Sequence, residues 1–462
     1  MPMRLSRRAF LRTTIAAAGA VAFAHTATAA APARKPNVLI ILADDLGYAD
    51  LGAQGCKDIP TPHCDSIAAE GVRLTSGYVS HPFCSPTRAG LMTGRYQQRF
   101  GHENNPPYVP ADGKIGLPLT ETLLPAVMKQ CGYVTGLVGK WHLGAAPPLH
   151  PMRRGFDEFY GFIGGGHDYF KTATAEKHAE YTVPIDRNGK PEAMEGYLTE
   201  ALGREAAAFI DRHKAEPFFL YLAFNAPHTP LQSPPAVLER VKGVSGETRR
   251  KYAALVVAMD DAVGVVLAKL KAAGLDRDTL VFFLSDNGGP TRVTNASNAP
   301  LQGEKGRVFE GGIRVPFFVR WTGRLPAGRT YDEPVISLDI FPTAVAAAGG
   351  TPPAAPALDG VNVLPFLEGK APGAPHARLF WRTGGGVTWA VREGKHKLIR
   401  IKGEPDKLFD LQADIGEAAD LAAAQPQVAE RLAKALDEWN SQLVPPVFEG
   451  LRPAAKKKAG AK

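Results

Sequence analysis

Cysteine is scarce in this sequence. Only Cys56, Cys64, Cys84 and Cys131 occur in 462 residues, so at most two bridges can form and disulfides are not the frame of the fold. Cys56 and Cys64 are close enough in the chain to pair, and if Cys84 is consumed by other chemistry Cys131 is left over. Long hydrophobic runs are also wanting. The apolar stretch at residues 15–24 is too short and too rich in Ala and Gly for a membrane anchor. It follows Ser6-Arg7-Arg8-Ala9-Phe10-Leu11-Arg12, a twin-arginine export pattern, and precedes a small-residue cleavage site at Ala27-Thr28-Ala29. The expectation is a signal peptide over residues 1–31, with the mature chain starting near Ala30. The twin-arginine machinery would carry the folded protein to the periplasm or beyond, so any modification of an unfolded chain must precede export.

The body of the chain lacks the positive charge that its net value of +8 suggests. Arg4, Arg7, Arg8 and Arg12 at one end, and Arg452, Lys456, Lys457, Lys458 and Lys462 at the other, account for all of it and leave the body slightly acidic. A nucleic-acid partner is therefore not expected, and residues 451–462 read as a solvated, disordered basic tail. No internal repeat is present. What remains is an ordinary globular composition, 45% hydrophobic and 22% charged, long enough for one large domain and a smaller one.

Residues 38–43 (Val-Leu-Ile-Ile-Leu-Ala) form a continuous apolar run that ends in Asp44-Asp45. This is how a strand buried on both faces reads, with polar residues at its carboxyl end. The construction recurs at residues 218–224, running into Asn225-Ala226-Pro227-His228, and at 280–284, running into Ser285-Asp286-Asn287-Gly288-Gly289. Helical periodicity separates these runs, most clearly over residues 247–273. Strand and helix in alternation predict an α/β fold with a mostly parallel sheet sandwiched by helices, its ligands at the carboxyl edge. Residues 346–356, rich in Ala, Gly and Pro, read as a connection between a catalytic domain over 36–355 and a smaller domain over 356–450. In the latter, residues 378–382, 387–392 and 397–401 look like short antiparallel strands, followed by a helix over about 426–443.

In Cys84-Ser85-Pro86-Thr87-Arg88, Pro86 favours the first turn of a helix. Cys84 then sits at a helix N-terminus, where backbone N–H groups favour anions, with Arg88 one turn on along the same face. Asp260-Asp261, inside the amphipathic helix, is given no ligand role.

Cys84-Ser85-Pro86-Thr87-Arg88, followed by Ala89-Gly90-Leu91-Met92-Thr93-Gly94-Arg95, resembles the signature of the type I sulfatases of the alkaline phosphatase superfamily. The resemblance implies an alkaline-phosphatase-like fold. It also implies oxidation of Cys84 to formylglycine by a formylglycine-generating enzyme, whose hydrated aldehyde attacks sulfur. Asp44, Asp45, Asp286 and Asn287 resemble the family's metal ligands, with an oxygen of modified Cys84 as a further one, an all-oxygen set that suits a hard cation, calcium above zinc, with magnesium as the alternative. Gly139-Lys140-Trp141-His142-Leu143-Gly144 is similar to the segment whose Lys binds sulfate and whose His takes the proton as the sulfated intermediate collapses. If this segment is extended, Lys140 and His142 point to one face. His228 resembles the histidine that protonates the leaving group, and Lys305 the second sulfate-binding lysine. Phe409-Asp410-Leu411 through Glu417 is similar to the family's C-terminal motif, with Ile415 where proline is common.

Residues 94–103, including His102, resemble bacterial members acting on sulfated galactose or N-acetylgalactosamine glycans. His102 is thus a candidate for substrate contact, as are His167 and Asp168 in Gly164-Gly165-Gly166-His167-Asp168-Tyr169, a stretch that reads equally well as a glycine-rich connector. The expected substrate is a sulfated carbohydrate or an aryl sulfate. Two rivals remain: a phosphonate monoester hydrolase or phosphodiesterase of the same superfamily, and a non-catalytic sulfoglycan-binding protein with Cys84 unconverted.

Overall fold

The computed structural model describes residues 34–171 and 180–450. The twin-arginine leader and the basic tail expected from the sequence lie outside these residues. From Lys35 onward the chain forms one compact unit.

Its frame is a ten-stranded sheet. The five central strands run parallel, in the spatial order Thr279–Ser285, Asn37–Ala43, Phe218–Ala223, Val134–Lys140, Glu158–Phe162. Beyond Thr279–Ser285 come Phe317–Arg320, antiparallel to it, then Val72–Leu74 and Arg329–Tyr331; beyond Glu158–Phe162 lie the antiparallel strands Ile185–Arg187 and Lys190–Glu192. All seven residues of Asn37–Ala43 are buried, as its unbroken apolar run requires of a strand covered on both faces. Val38, Ile40 and Leu42 face one core, while Leu39, Ile41 and Ala43 face the other.

The second core is covered by Leu198–Arg212 and Glu247–Ala272, helices packed on each other and on the sheet. On the first face lie Cys84–Thr93, Leu124–Gln130 and Ile340–Ala347. The smaller C-terminal sheet, Leu379–Thr383, Thr388–Glu393, His396–Ile401 and Lys407–Asp410, is antiparallel throughout, and Pro426–Asn440 packs against it. Its Trp381, Ala390 and Leu398 belong to the first core and not to a separate one. Among the described residues, no helix is long and apolar enough to cross a membrane.

Of the disulfide pairings left open by the sequence, none is formed: all four cysteines are free. Cys56 turns its Sγ to Asp58, at 3.1 Å, while Cys64 is buried in the helix Pro62–Ala69. The N-terminus of that helix is held by Asp260, whose carboxylate accepts from the backbone N–H groups of Cys64 (2.7 Å) and His63 (3.2 Å). Asp261 pairs with Arg240. The acidic pair is therefore occupied by structural work.

Candidate active site

Parallel strands bring their carboxyl ends to one edge, and here four neighbouring strands each deliver a polar residue at or after the carboxyl end. Ala43 pairs with Ser285, so Asp44-Asp45 and Asp286-Asn287 emerge side by side. On the other flank, Phe218–Ala223 leads to His228 and Val134–Lys140 ends on Lys140. The fifth contribution is a helix. Cys84–Thr93 begins at Cys84, with Phe83 as its extended N-cap, and is buried along its whole length.

These elements converge. Asp44, Asp45, Asp286 and Cys84 offer ligand atoms that all lie within 4.8 Å of one another. The Cys84 Sγ is 3.5 Å from Asp44 Oδ1 and marks where an oxygen of a modified side chain would sit. Arg88 donates to Asp286 Oδ2 through Nη2 (2.8 Å) and Nε (3.2 Å), and to Asp44 Oδ2 through Nη2 (3.4 Å). Lys140 Nζ pairs with Asp44, and Lys305 Nζ lies 2.7 Å from Asp45 Oδ1. His228 donates through Nδ1 to the Thr229 carbonyl at 2.6 Å, which fixes the tautomer and leaves Nε2 facing Asp45 at 3.7 Å.

Charge explains the protonation states. Burial pushes Asp44 up, but Lys140, His228, Arg88 and Lys305 outweigh it and hold the carboxylate well below its usual range. Asp286 goes the other way. Burial and the neighbouring Asp44 raise it to about 6 against the pull of Arg88. Burial and Asp44 likewise push the Cys84 thiol up, so the encoded side chain is held as a thiol and not a thiolate. For His142, burial and the charges of Lys140 and Arg88 keep the imidazole neutral.

The donor set fits a hard cation. Three buried carboxylates converge, and Asp286 is raised by its burial and then by the repulsion of Asp44. Asn287 Nδ2 donates to Asp45 Oδ1 at 2.7 Å, whereas its Oδ1 is buried without a hydrogen-bond partner. An orphaned amide oxygen beside a carboxylate cluster is the arrangement that a calcium or magnesium ion satisfies.

The remaining residues singled out from the sequence are placed less simply. Lys140 and His142 do not share one extended face, because the strand ends at Lys140 and His142 adopts φ 57°. The His142 ring is nonetheless buried with neither nitrogen partnered, and it responds to Lys140, Arg88 and Asp44. His102 is buried too and meets Ser85 Oγ at 2.6 Å. That hydroxyl donates to the His142 carbonyl, also at 2.6 Å, so His102 braces the residue after Cys84 from behind. His167 has both ring nitrogens on backbone carbonyls, Asp168 O at 2.5 Å and Val183 O at 2.8 Å, which leaves neither for a substrate. Asp168 accepts from the N–H groups of Phe170 and Lys171 and from Gln232. These contacts hold a loop together.

Sequence reasoning missed Tyr169. Its hydroxyl ties that loop to the carbonyls of Asn225 (3.0 Å) and His228 (2.8 Å). It also missed the buried cluster in which Lys397 Nζ bridges Glu310 (2.7 Å) and Glu417 (2.9 Å). Glu417 accepts from the Glu310 N–H at 2.7 Å and so fixes Glu310–Ile313, the turn that follows the Lys305 loop. The sequence signals were the similarity of Glu417 and of residues 310–316 to family motifs.

Comparison with known proteins agrees with this geometry. The sulfatase family model matches residues 36–350, and the C-terminal model of N-sulphoglucosamine sulphohydrolase matches residues 304–442. The chain is 36% identical to the human (Homo sapiens) N-acetylgalactosamine-6-sulfatase, over 79% of this chain and 71% of that one. It is 31% identical to the uncharacterized sulfatase YdeN of Escherichia coli, over 90% and 87%. Among solved structures it resembles Ps i-CgsB in complex with k-i-k-neocarrahexaose, at 37% identity and a TM-score of 0.85, over 89% of this chain and 94% of that one. With a carboxylate and lysine cluster at one sheet edge and relatives of this extent, the chain belongs to the formylglycine-type sulfatase family of the alkaline phosphatase superfamily, and is a sulfuric ester hydrolase.

Proposed function

We propose that this sulfatase removes sulfate from a carbohydrate of the galactose or N-acetylgalactosamine type, using Cys84 converted to formylglycine. The single observation that carries this is the meeting of Cys84 with Asp44, Asp45 and Asp286 inside a shell of Arg88, Lys140 and Lys305. Three carboxylates are balanced by three cations there, so a bound divalent ion leaves a positive surplus that suits a sulfate ester. The sugar class is supported by the N-acetylgalactosamine-6-sulfatases and by the neocarrahexaose complex of the similar structure.

Asp44, Asp45, Asp286, Asn287 and the modified Cys84 would hold calcium, or magnesium in its place, which supplies charge stabilisation to the ester oxygens. Once converted and hydrated, Cys84 would supply one hydroxyl as the nucleophile toward sulfur, with the sugar oxygen as the leaving group, and a second whose proton must be taken for sulfate to leave. His142, buried and neutral, is suited to take that proton. Lys140 and Lys305 each spend a donor on an aspartate and have others to direct at the sulfate oxygens. Arg88, fixed between Asp44 and Asp286, stabilises the charge that gathers as the nucleophile approaches. Burial lowers the His228 pKa against the pull of Asp44 and Asp45, and with Nδ1 committed to the Thr229 carbonyl it is a proton taken up at Nε2 that His228 would pass to the departing sugar oxygen.

The twin-arginine pattern supports maturation by a formylglycine-generating enzyme in the cytoplasm, then export to the periplasm or beyond. The test is mass spectrometry of the peptide 74–88 from protein co-expressed with that enzyme, beside turnover of sulfated galactose, sulfated N-acetylgalactosamine and an aryl phosphate diester. Aldehyde at position 84 with selective sulfatase activity is expected. An intact thiol in fully active protein would overturn the mechanism, and preference for the diester would overturn the substrate class.

A further inference from the structure

Resting on the carbohydrate reading above, we propose that Tyr181 is the platform on which the sugar ring bearing the scissile sulfate stacks. A single exposed aromatic side chain is unremarkable in itself. Tyr181 is distinguished by its place. Its ring centroid lies 6.2 Å from that of His228, with the planes 31° apart, and the residue is 38% exposed where the groups around Cys84 are buried.

The departing oxygen must come to His228 Nε2, since Nδ1 is committed to the Thr229 carbonyl. The sugar carbon attached to that oxygen therefore stands at the mouth of the site, beside the Tyr181 ring. One face of a pyranose presents C–H groups and is apolar, and a flat aromatic ring covers such a face while leaving the hydroxyls in water.

The ring is also held in a built frame. The Tyr181 carbonyl accepts the Asp168 N–H at 2.7 Å. A Cβ on Gly166 would come within 2.7 Å of Tyr181 Cε1, so the ring lies against a position that has no side chain. The Asp168 carboxylate fixes the loop through Phe170, Lys171 and Gln232. Tyr169 ties the same loop to the His228 carbonyl, so platform and proton donor are positioned by one set of bonds. Flatness and not the hydroxyl is the property used, and phenylalanine serves in its place.

The experiment uses full-length enzyme co-expressed with a formylglycine-generating enzyme. KM and kcat are measured for 6-sulfated galactose and N-acetylgalactosamine, with inhibition by inorganic sulfate as a probe of the ion pocket alone. Tyr181→Ala is expected to raise KM for the sugar about fivefold with kcat within about twofold, the size of one aromatic contact. Tyr181→Phe is expected to keep the wild-type KM, and sulfate inhibition to stay unchanged in both. Should Tyr181→Ala fail to fold, Tyr181→Leu keeps the bulk without the ring and is expected to show the same rise. An unaltered KM in the folded Ala or Leu variant overturns the assignment of Tyr181. A wild-type enzyme that turns over 4-nitrophenyl sulfate but no sulfated sugar overturns the carbohydrate reading, and the platform falls with it.

Discussion

At the scale of single residues, two side chains carry the sharpest tests. Cys84 is nearly fully buried at a helix start and makes one weak contact, to Asp44, so its removal disturbs little packing. Cys84→Ala is expected to abolish turnover with an unfolding midpoint within a few degrees of wild type. Residual turnover above about a hundredth of wild type, in protein free of contaminating sulfatase, would remove Cys84 as nucleophile. Asn287 brings the orphaned amide oxygen. Asn287→Leu is expected to weaken calcium binding by about tenfold to a hundredfold, read by calorimetric titration of the metal-stripped enzyme, with activity restored at high calcium. Equal affinity in wild type and variant would remove Asn287 from the ligand set. The clustered aspartates were legible as strand-end residues because each follows an apolar run, the pattern of a buried strand with a polar edge. The posture of His142 was not legible, since its φ of 57° is imposed by tertiary context and no local residue signals it. The packing of His102 on Ser85 Oγ and of His167 on backbone carbonyls was not legible for the same reason. A histidine beside a site looks alike in sequence whether its nitrogens face substrate or backbone.

At the scale of elements, the strand Val134–Lys140 shows why part of the sheet was hard to see. Its sequence Val-Thr-Gly-Leu-Val-Gly-Lys carries two glycines, which weaken a strand signal. Both are needed for close approach. A Cβ on Gly136 would strike Phe209, and one on Gly139 would strike the Ala223 carbonyl of the neighbouring strand, at φ 112°. Gly139→Ala is expected to cost about 3 kcal/mol of stability, from the dihedral and the overpacking together. It should also lower activity, because the strand delivers Lys140. Urea unfolding measures the first, and a loss under about 0.5 kcal/mol would show that the strand can shift to make room. The unbroken apolar runs at Asn37–Ala43, Phe218–Ala223 and Thr279–Ser285 were read from sequence almost to the residue. The same holds for Glu247–Ala272. By contrast Lys407–Asp410 went unread, being a four-residue edge strand too short for periodicity to register.

At the scale of the molecule, the small sheet and the large one are joined by charge as well as by apolar packing. Lys397 stands between Glu310 and Glu417, all fully or almost fully buried, and Arg314 pairs with Glu310 as well. Lys397→Met leaves two buried carboxylates short of a cation and is expected to cost about 3–5 kcal/mol, measured by denaturant unfolding. Burial, reinforced by Glu310, raises the Glu417 carboxyl to about 7. The sign follows from linkage: the folded state holds this proton more tightly than the unfolded one. The stability it confers is thus full below the ordinary carboxyl range and is lost as pH rises through about 7. Glu417→Gln is expected to flatten that decline, and an identical pH profile for the variant would assign it elsewhere. The departure at Ile415 does no harm here, since Asp414 still accepts the Glu417 N–H at 3.2 Å. Beyond the family likeness of Glu417 and of residues 310–316 the cluster was not legible, because its members are far apart in sequence and gain meaning only when the sheets dock. Burial of Cys84 also sets a schedule. The thiol is enclosed by residues that leave the ribosome about two hundred positions later, Asp286 and then Lys305. At translation speeds of about 5–20 residues per second, the nascent chain offers a modifying enzyme a window of about 10–40 s. Chains stalled before residue 279 should stay open to an alkylating reagent at Cys84, and completed chains should be closed to it, so the proposed conversion would be a race against the chain's own completion.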